Sequence, residues 1–130
     1  MYTWEAKFTD GQTLSGEDGG YRRASMQHGA PEWVSVNYNG STVLMNLSTK
    51  EVSVTPANGA AYTRTIPDTK ISGTSVFSRN VQAFYYGQTT PMGQQSVIFV
   101  GAVFTDGTKM VEGLYPDGSV KDSDEADFTV

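Results

Sequence analysis

The chain has no cysteine and only one histidine, His28, among its 130 residues. Without cysteine there is no disulfide framework, thiolate nucleophile, zinc ribbon or iron–sulfur ligand set. One imidazole excludes any centre that needs two or three from the same chain, and a Ser-His-Asp arrangement would have to use His28. No Gly-x-Ser-x-Gly elbow accompanies it, so His28 reads as a structural or surface residue.

Basic residues are also scarce, 9 Lys and Arg against 14 Asp and Glu, for a net charge of −5. Phosphate backbones need a basic footprint, so nucleic acid is not an expected partner. The longest apolar run, Val97 to Phe104, is too short for a bilayer, and no membrane span is expected. Met1–Lys7 alternates polar and apolar residues and has no signal-peptide core. The expectation is a protein made in a cytoplasm, with later incorporation into a virion compatible with that. The sequons at Asn39 and Asn46 then read as chance.

Leucine occurs only 4 times, against 13 valines, 15 threonines and 14 glycines. Scarce leucine starves an amphipathic helix of its core face, while β-branched and aromatic residues suit a pleated surface. With turn signals recurring along the chain, the composition predicts an all-β fold. The expected architecture is an antiparallel sandwich or flattened barrel of about eight to ten strands. Residues 1–130 are expected to form one domain. Residues 21–28 fit either a short helix or a strand.

Tyr2, Trp4, Ala6 and Phe8 share one face of a first strand, and Thr3, Glu5, Lys7 and Thr9 the other. Asp10-Gly11 and Asn39-Gly40 are hairpin signals. Gly16–Gly20 reads as a flexible break and Gly87–Ser96 as a polar loop. The segments Ala6–Gly11 and Ala102–Gly107 agree at five of six positions, which is expected of two hairpins that reach the same turn solution.

Acidity gathers at the end: residues 117–130 hold five acids and one lysine, whereas residues 1–116 are nearly neutral. Asp122, Asp124, Glu125 and Asp127 lack the glycine of an EF-hand loop, so no metal site is assigned. They and the pair Arg22 and Arg23 are candidate docking charges. Gly16–Gly20 has no Lys-Ser/Thr after it and is no phosphate loop; no cofactor is assigned. Glu5, Glu32, Glu51 and Glu112 are read as solvated charges on strands or beside turns, and no catalytic residue is named.

Strands that are apolar on both sides need cover twice. Val43-Leu44-Met45 and Val97-Ile98-Phe99-Val100 have that character, and Phe84-Tyr85-Tyr86 places aromatics on both faces. Val43, Met45, Tyr85, Tyr86, Phe99 and Val100 are therefore interface candidates, with a second copy as the expected cover. Trp33, Tyr85 and Tyr86 are candidates for stacking on a ligand. These features point to a non-enzymatic structural or interaction subunit that self-assembles or docks on a larger assembly, of the kind that decorates capsids or builds tails and fibres. The alternatives are a glycan- or small-ligand-binding β module, and a small carboxylate-based enzyme using Glu32 and Glu112.

Overall fold

The structure, a computed structural model, describes residues 2–8, 10–18, 21–23, 31–67, 70, 81–89, 97–115 and 120–123. Alternating side chains lay down eleven strands among them. These are β1 (Tyr2–Phe8), β2 (Thr13–Asp18), β3 (Tyr21–Arg23), β4 (Pro31–Tyr38), β5 (Ser41–Asn46), β6 (Glu51–Thr55), β7 (Tyr62–Thr65), β8 (Val81–Thr89), β9 (Val97–Phe104), β10 (Lys109–Leu114) and β11 (Val120–Ser123). One sheet has six strands in the order β2-β1-β4-β5-β6-β7, the other five in the order β11-β10-β9-β8-β3. Every pairing is antiparallel.

The two sheets pack face to face: β1 and β4 meet β8, β4 and β5 meet β9, and β5 and β6 meet β10. The inward residues of both sheets form one core. Tyr2, Ala6 and Phe8 belong to it, as do Val34, Val36, Val43, Met45, Val52 and Val54. From the five-stranded sheet come Phe84, Tyr86, Ile98, Val100, Phe104 and Met110. The all-β sandwich expected from composition is the observed architecture.

Turn chemistry closes the hairpins as the residues demand. Asn39 and Gly40 both take positive φ, 51° and 84°, the type I′ geometry whose twist matches the flanking strands. The two similar segments close alike. Gly11 N–H donates to Phe8 O at 3.0 Å and Gly107 N–H to Phe104 O at 2.9 Å. Phe8 N–H donates to Gln12 O, and Phe104 N–H to Thr108 O, both at 2.9 Å. Each glycine sits near φ 88°, the left-handed position of a type I turn followed by a bulge. Asp10 and Asp106 each accept the backbone N–H two residues on, at 2.9 and 3.0 Å.

Several boundaries differ from the sequence expectation. Residues 16–18 continue β2 and residues 87–89 continue β8, because an ordered neighbour pairs with each, Trp4 with Gly16 and Gly87 with Phe99. Tyr21–Arg23 is a strand. The start of the acidic end is also a strand, with Asp122 opposite Glu112. The rest of 21–28, His28 and residues 124–130 lie outside the described residues.

Candidate functional site

The outer face of the six-stranded sheet is built in register rows. One row runs Glu17, Thr3, Asn37, Thr42, Thr55 across β2, β1, β4, β5 and β6. The next runs Ser15, Glu5, Ser35, Leu44, Ser53, Thr63 and reaches β7. A third runs Thr13, Lys7, Trp33, Asn46, Glu51, Thr65. Because each strand alternates, the valines opposite these positions enter the core and the short polar side chains stay outside. Cross-strand bonds tie the rows, such as Asn37 Nδ2 donating to Thr42 Oγ1 at 2.9 Å.

The β2-β1-β4 part of this face is recessed into an open groove of about 480 Å³, lined by Thr3, Glu5, Ser15, Glu17, Ser35 and Asn37 together with Trp4 and Gly16. Gly16 is required here. A Cβ at that position would stand 2.9 Å from Trp4 Nε1, so only glycine lets the indole lie across β2. On its other side the indole meets Tyr86, with ring centroids 5.3 Å apart. Among the described residues the carboxylates of Glu5 and Glu17 have no ion-pair partner, whereas nearby Lys7 lies 3.4 Å from Glu32.

A second polar constellation lies inside the sandwich. Glu112 on β10 is fully buried. Tyr62 Oη donates to its Oε2 at 2.8 Å, and the Arg64 guanidinium donates to Oε1. Both partners come from β7, so the trio pins the edge strand of one sheet to the interior of the other. Glu112 therefore corrects the expectation of a solvated charge. Its parity on the strand matches Met110 and Leu114, both buried, and that alternation was the signal for its placement. Glu5 and Glu51 are exposed, and Glu32 is half-buried. Glu32 does not join Glu112, since it lies at the outer rim of β4 beside Lys7.

A third cluster fastens Lys70 to the β9–β10 turn. Lys70 Nζ lies 2.6 Å from both Asp106 Oδ2 and Thr108 Oγ1. The Lys70 ammonium, then the Thr108 hydroxyl and backbone N–H, hold the Asp106 carboxyl well below the usual carboxylate range.

The interface candidates separate by parity. Val43, Met45, Tyr86 and Val100 point between the sheets and are buried in the main core, so they cannot meet a partner. Phe99 lies on the outer side of β9 and is buried with Val97 and Val111, packed by Tyr85 and Tyr115. That burial is complete within a single chain. Gly113 helps: a Cβ there would come within 2.9 Å of Val97 Cγ2. The stacking set is likewise divided. Trp33 lies on the outer face of the six-stranded sheet, Tyr85 on the outer face of the other, and Tyr86 between them. Arg22, Arg23 and Asp122 have strand backbones, while Asp124, Glu125 and Asp127 lie outside the described residues.

Among the described residues no group of three or more His, Asp or Glu is placed to hold a metal ion, and no helix is long and apolar enough to cross a membrane. Compared with known proteins, the chain matches no family model, no curated protein and no solved structure.

Proposed function

We propose that the chain is a non-enzymatic interaction subunit, carried in several copies by a larger assembly and presenting the outer face of its six-stranded sheet to a partner. Small decoration, tail and fibre components of virus particles are the kind of protein meant. The observation that carries this reading is the continuous strand register across that sheet, whose outer rows are mostly Thr, Ser and Asn, with Glu5, Glu17, Glu51, Lys7, Leu44 and Trp33 among them. Backbone ladders beneath every row make the face a rigid platform, and short side chains lose little rotamer freedom on contact. The one fully buried carboxylate among the described residues, Glu112, is engaged by Arg64 and Tyr62 within the core, which supports a structural role for it.

The absence of cysteine makes the test direct. Sedimentation over a wide concentration range should give masses that are multiples of the 14.1 kDa chain. A thiol introduced by Ser53→Cys on the outer face should still react with a maleimide in the associated state. A single 14.1 kDa species at every concentration would refute self-assembly. A thiol protected on association would refute the presented face.

A further inference from the structure

We infer that the β2-β1-β4 groove binds a short polyhydroxylated ligand without negative charge, a neutral or amino-substituted oligosaccharide. This rests on the reading of the six-stranded sheet as the presented face and names what part of it would recognise. At about 480 Å³ the groove falls in the range of small-molecule sites, roughly 300–1,000 Å³. Its footprint follows from strand geometry: three strands across and one alternation along give about 10 Å by 7 Å, the scale of one or two sugar rings.

The lining suits hydroxyl groups. Thr3, Ser15 and Ser35 bring hydroxyls that both donate and accept, and Glu5 and Glu17 bring acceptors only. Asn37 commits an amide N–H to Thr42, which fixes its plane and leaves its carbonyl oxygen and second N–H available. A carboxylate can accept from two neighbouring hydroxyls of a sugar or, with added charge attraction, from an ammonium group. Glu5 faces Ser15 and Glu17 faces Thr3, so the two carboxylates are diagonal neighbours on one face. Among the described residues neither carboxylate is in an ion pair, and the nearby Lys7 pairs with Glu32, so the two repel an anionic ligand and disfavour acidic glycans. Trp33 stands two residues before Ser35 on the same face, about 7 Å further along β4, within reach of a ligand that extends past the groove.

The test begins with the full chain on an array of neutral, amino-substituted and acidic oligosaccharides. The strongest hit is then titrated calorimetrically against wild type and variants. Neutral or amino-bearing glycans should bind and acidic ones should not. Ser35→Trp fills the groove and should weaken the hit at least tenfold. Glu17→Gln, which keeps shape and removes charge, should weaken an amino-bearing hit far more than a neutral one, and so tells the two sources apart. Glu51→Gln, on the same face outside the groove, should leave the affinity unchanged. Circular dichroism verifies that each variant is folded. Binding of no neutral or amino-bearing glycan, a preference for acidic glycans, or an affinity untouched by Ser35→Trp and Glu17→Gln would each overturn the inference. Glycan-negative chains that still assemble with Ser53→Cys reactive would sink the inference alone. Glycan-binding chains that stay monomeric would sink the assembly reading alone.

Discussion

Replacing Arg64 by alanine isolates the electrostatics of the buried trio. The variant leaves the Glu112 carboxylate inside the sandwich, fully buried, with the Tyr62 hydroxyl still donating to it. Breaking a buried pair from one side typically costs about 3–5 kcal/mol. Protonation offers the buried carboxyl an escape. Taking up a proton at pH 7 costs 1.36 kcal/mol for each unit above the ordinary glutamate value of about 4.3, about 3.7 kcal/mol in all. That escape caps the destabilisation, and it makes the cap depend on pH. In the variant the native state would hold a proton that the unfolded chain has released, so stability falls as pH rises, by up to about 1.4 kcal/mol per unit between pH 5 and 7. Urea denaturation followed by tryptophan fluorescence at pH 5, 6 and 7 should show Arg64→Ala about 3–4 kcal/mol below wild type at pH 7, with a much smaller gap at pH 5. The triple variant Tyr62→Phe, Arg64→Met, Glu112→Leu removes every charge and hydroxyl of the trio together. It should recover most of the loss, because replacing a whole buried pair with apolar groups is often neutral or better. A gap that is the same at pH 5 and pH 7 would refute the reasoning, since it would mean that water reaches Glu112 once the guanidinium is gone.

Two further outcomes follow from local geometry. Asp106→Asn should have its largest effect at neutral pH: a carboxyl held below its unfolded value contributes stability above about pH 4, the ordinary aspartate value, and loses it as pH falls further. Acid titrations of wild type and variant should therefore converge below pH 4, and curves that stay parallel would show that the Lys70 contact does not matter to folding. Gly16→Ala places a methyl 2.9 Å from Trp4 Nε1 and should cost about 1–3 kcal/mol as an overpacking change, with an altered near-ultraviolet circular dichroism band. Trp4→Phe should relieve much of that cost, and a variant as stable as wild type would show that the indole moves aside freely.

Much of the sandwich was legible because β-structure has a period of two. Tyr2, Ala6 and Phe8, and later Val34 and Val36, enter the core as their alternation requires. Asn39-Gly40 closes its hairpin with the φ values that this pair of residues favours. What escaped the reading was of two kinds. Glu112 was judged by its charge, when its phase with Met110 and Leu114 decided its burial. In the apolar run Val97–Val100, alternation divides the side chains between the core and a smaller outer cluster, a division that the run's uniform hydrophobicity hides. The groove was not visible in one dimension. Its lining residues come from β1, β2 and β4, and only the register of Thr3 with Glu17 and Asn37 brings them together. Trp33 reaches that face by the same register, while Tyr85 and Tyr86, adjacent in sequence, are sent to opposite sides of their sheet.

The placement of β3 has a consequence for how the molecule comes into being. The strand lies between β2 and β4 in the chain, both members of the six-stranded sheet, yet it forms the edge of the five-stranded sheet by pairing Tyr21 with Gly87. The β4-to-β7 meander consists of neighbours in sequence and closes short loops, so it is suited to early formation. Tyr21–Arg23 must wait for β8, which is made long afterwards, and the edge of the second sheet beside β8 stays open until β3 joins it. A ribosome that has released the first eighty residues has therefore delivered all six strands of one sheet, with a dangling β3 beside them. The six-stranded sheet comes wholly from the first half of the chain and the five-stranded sheet from the second except for β3, so division between the halves leaves β3 with no sheet to join.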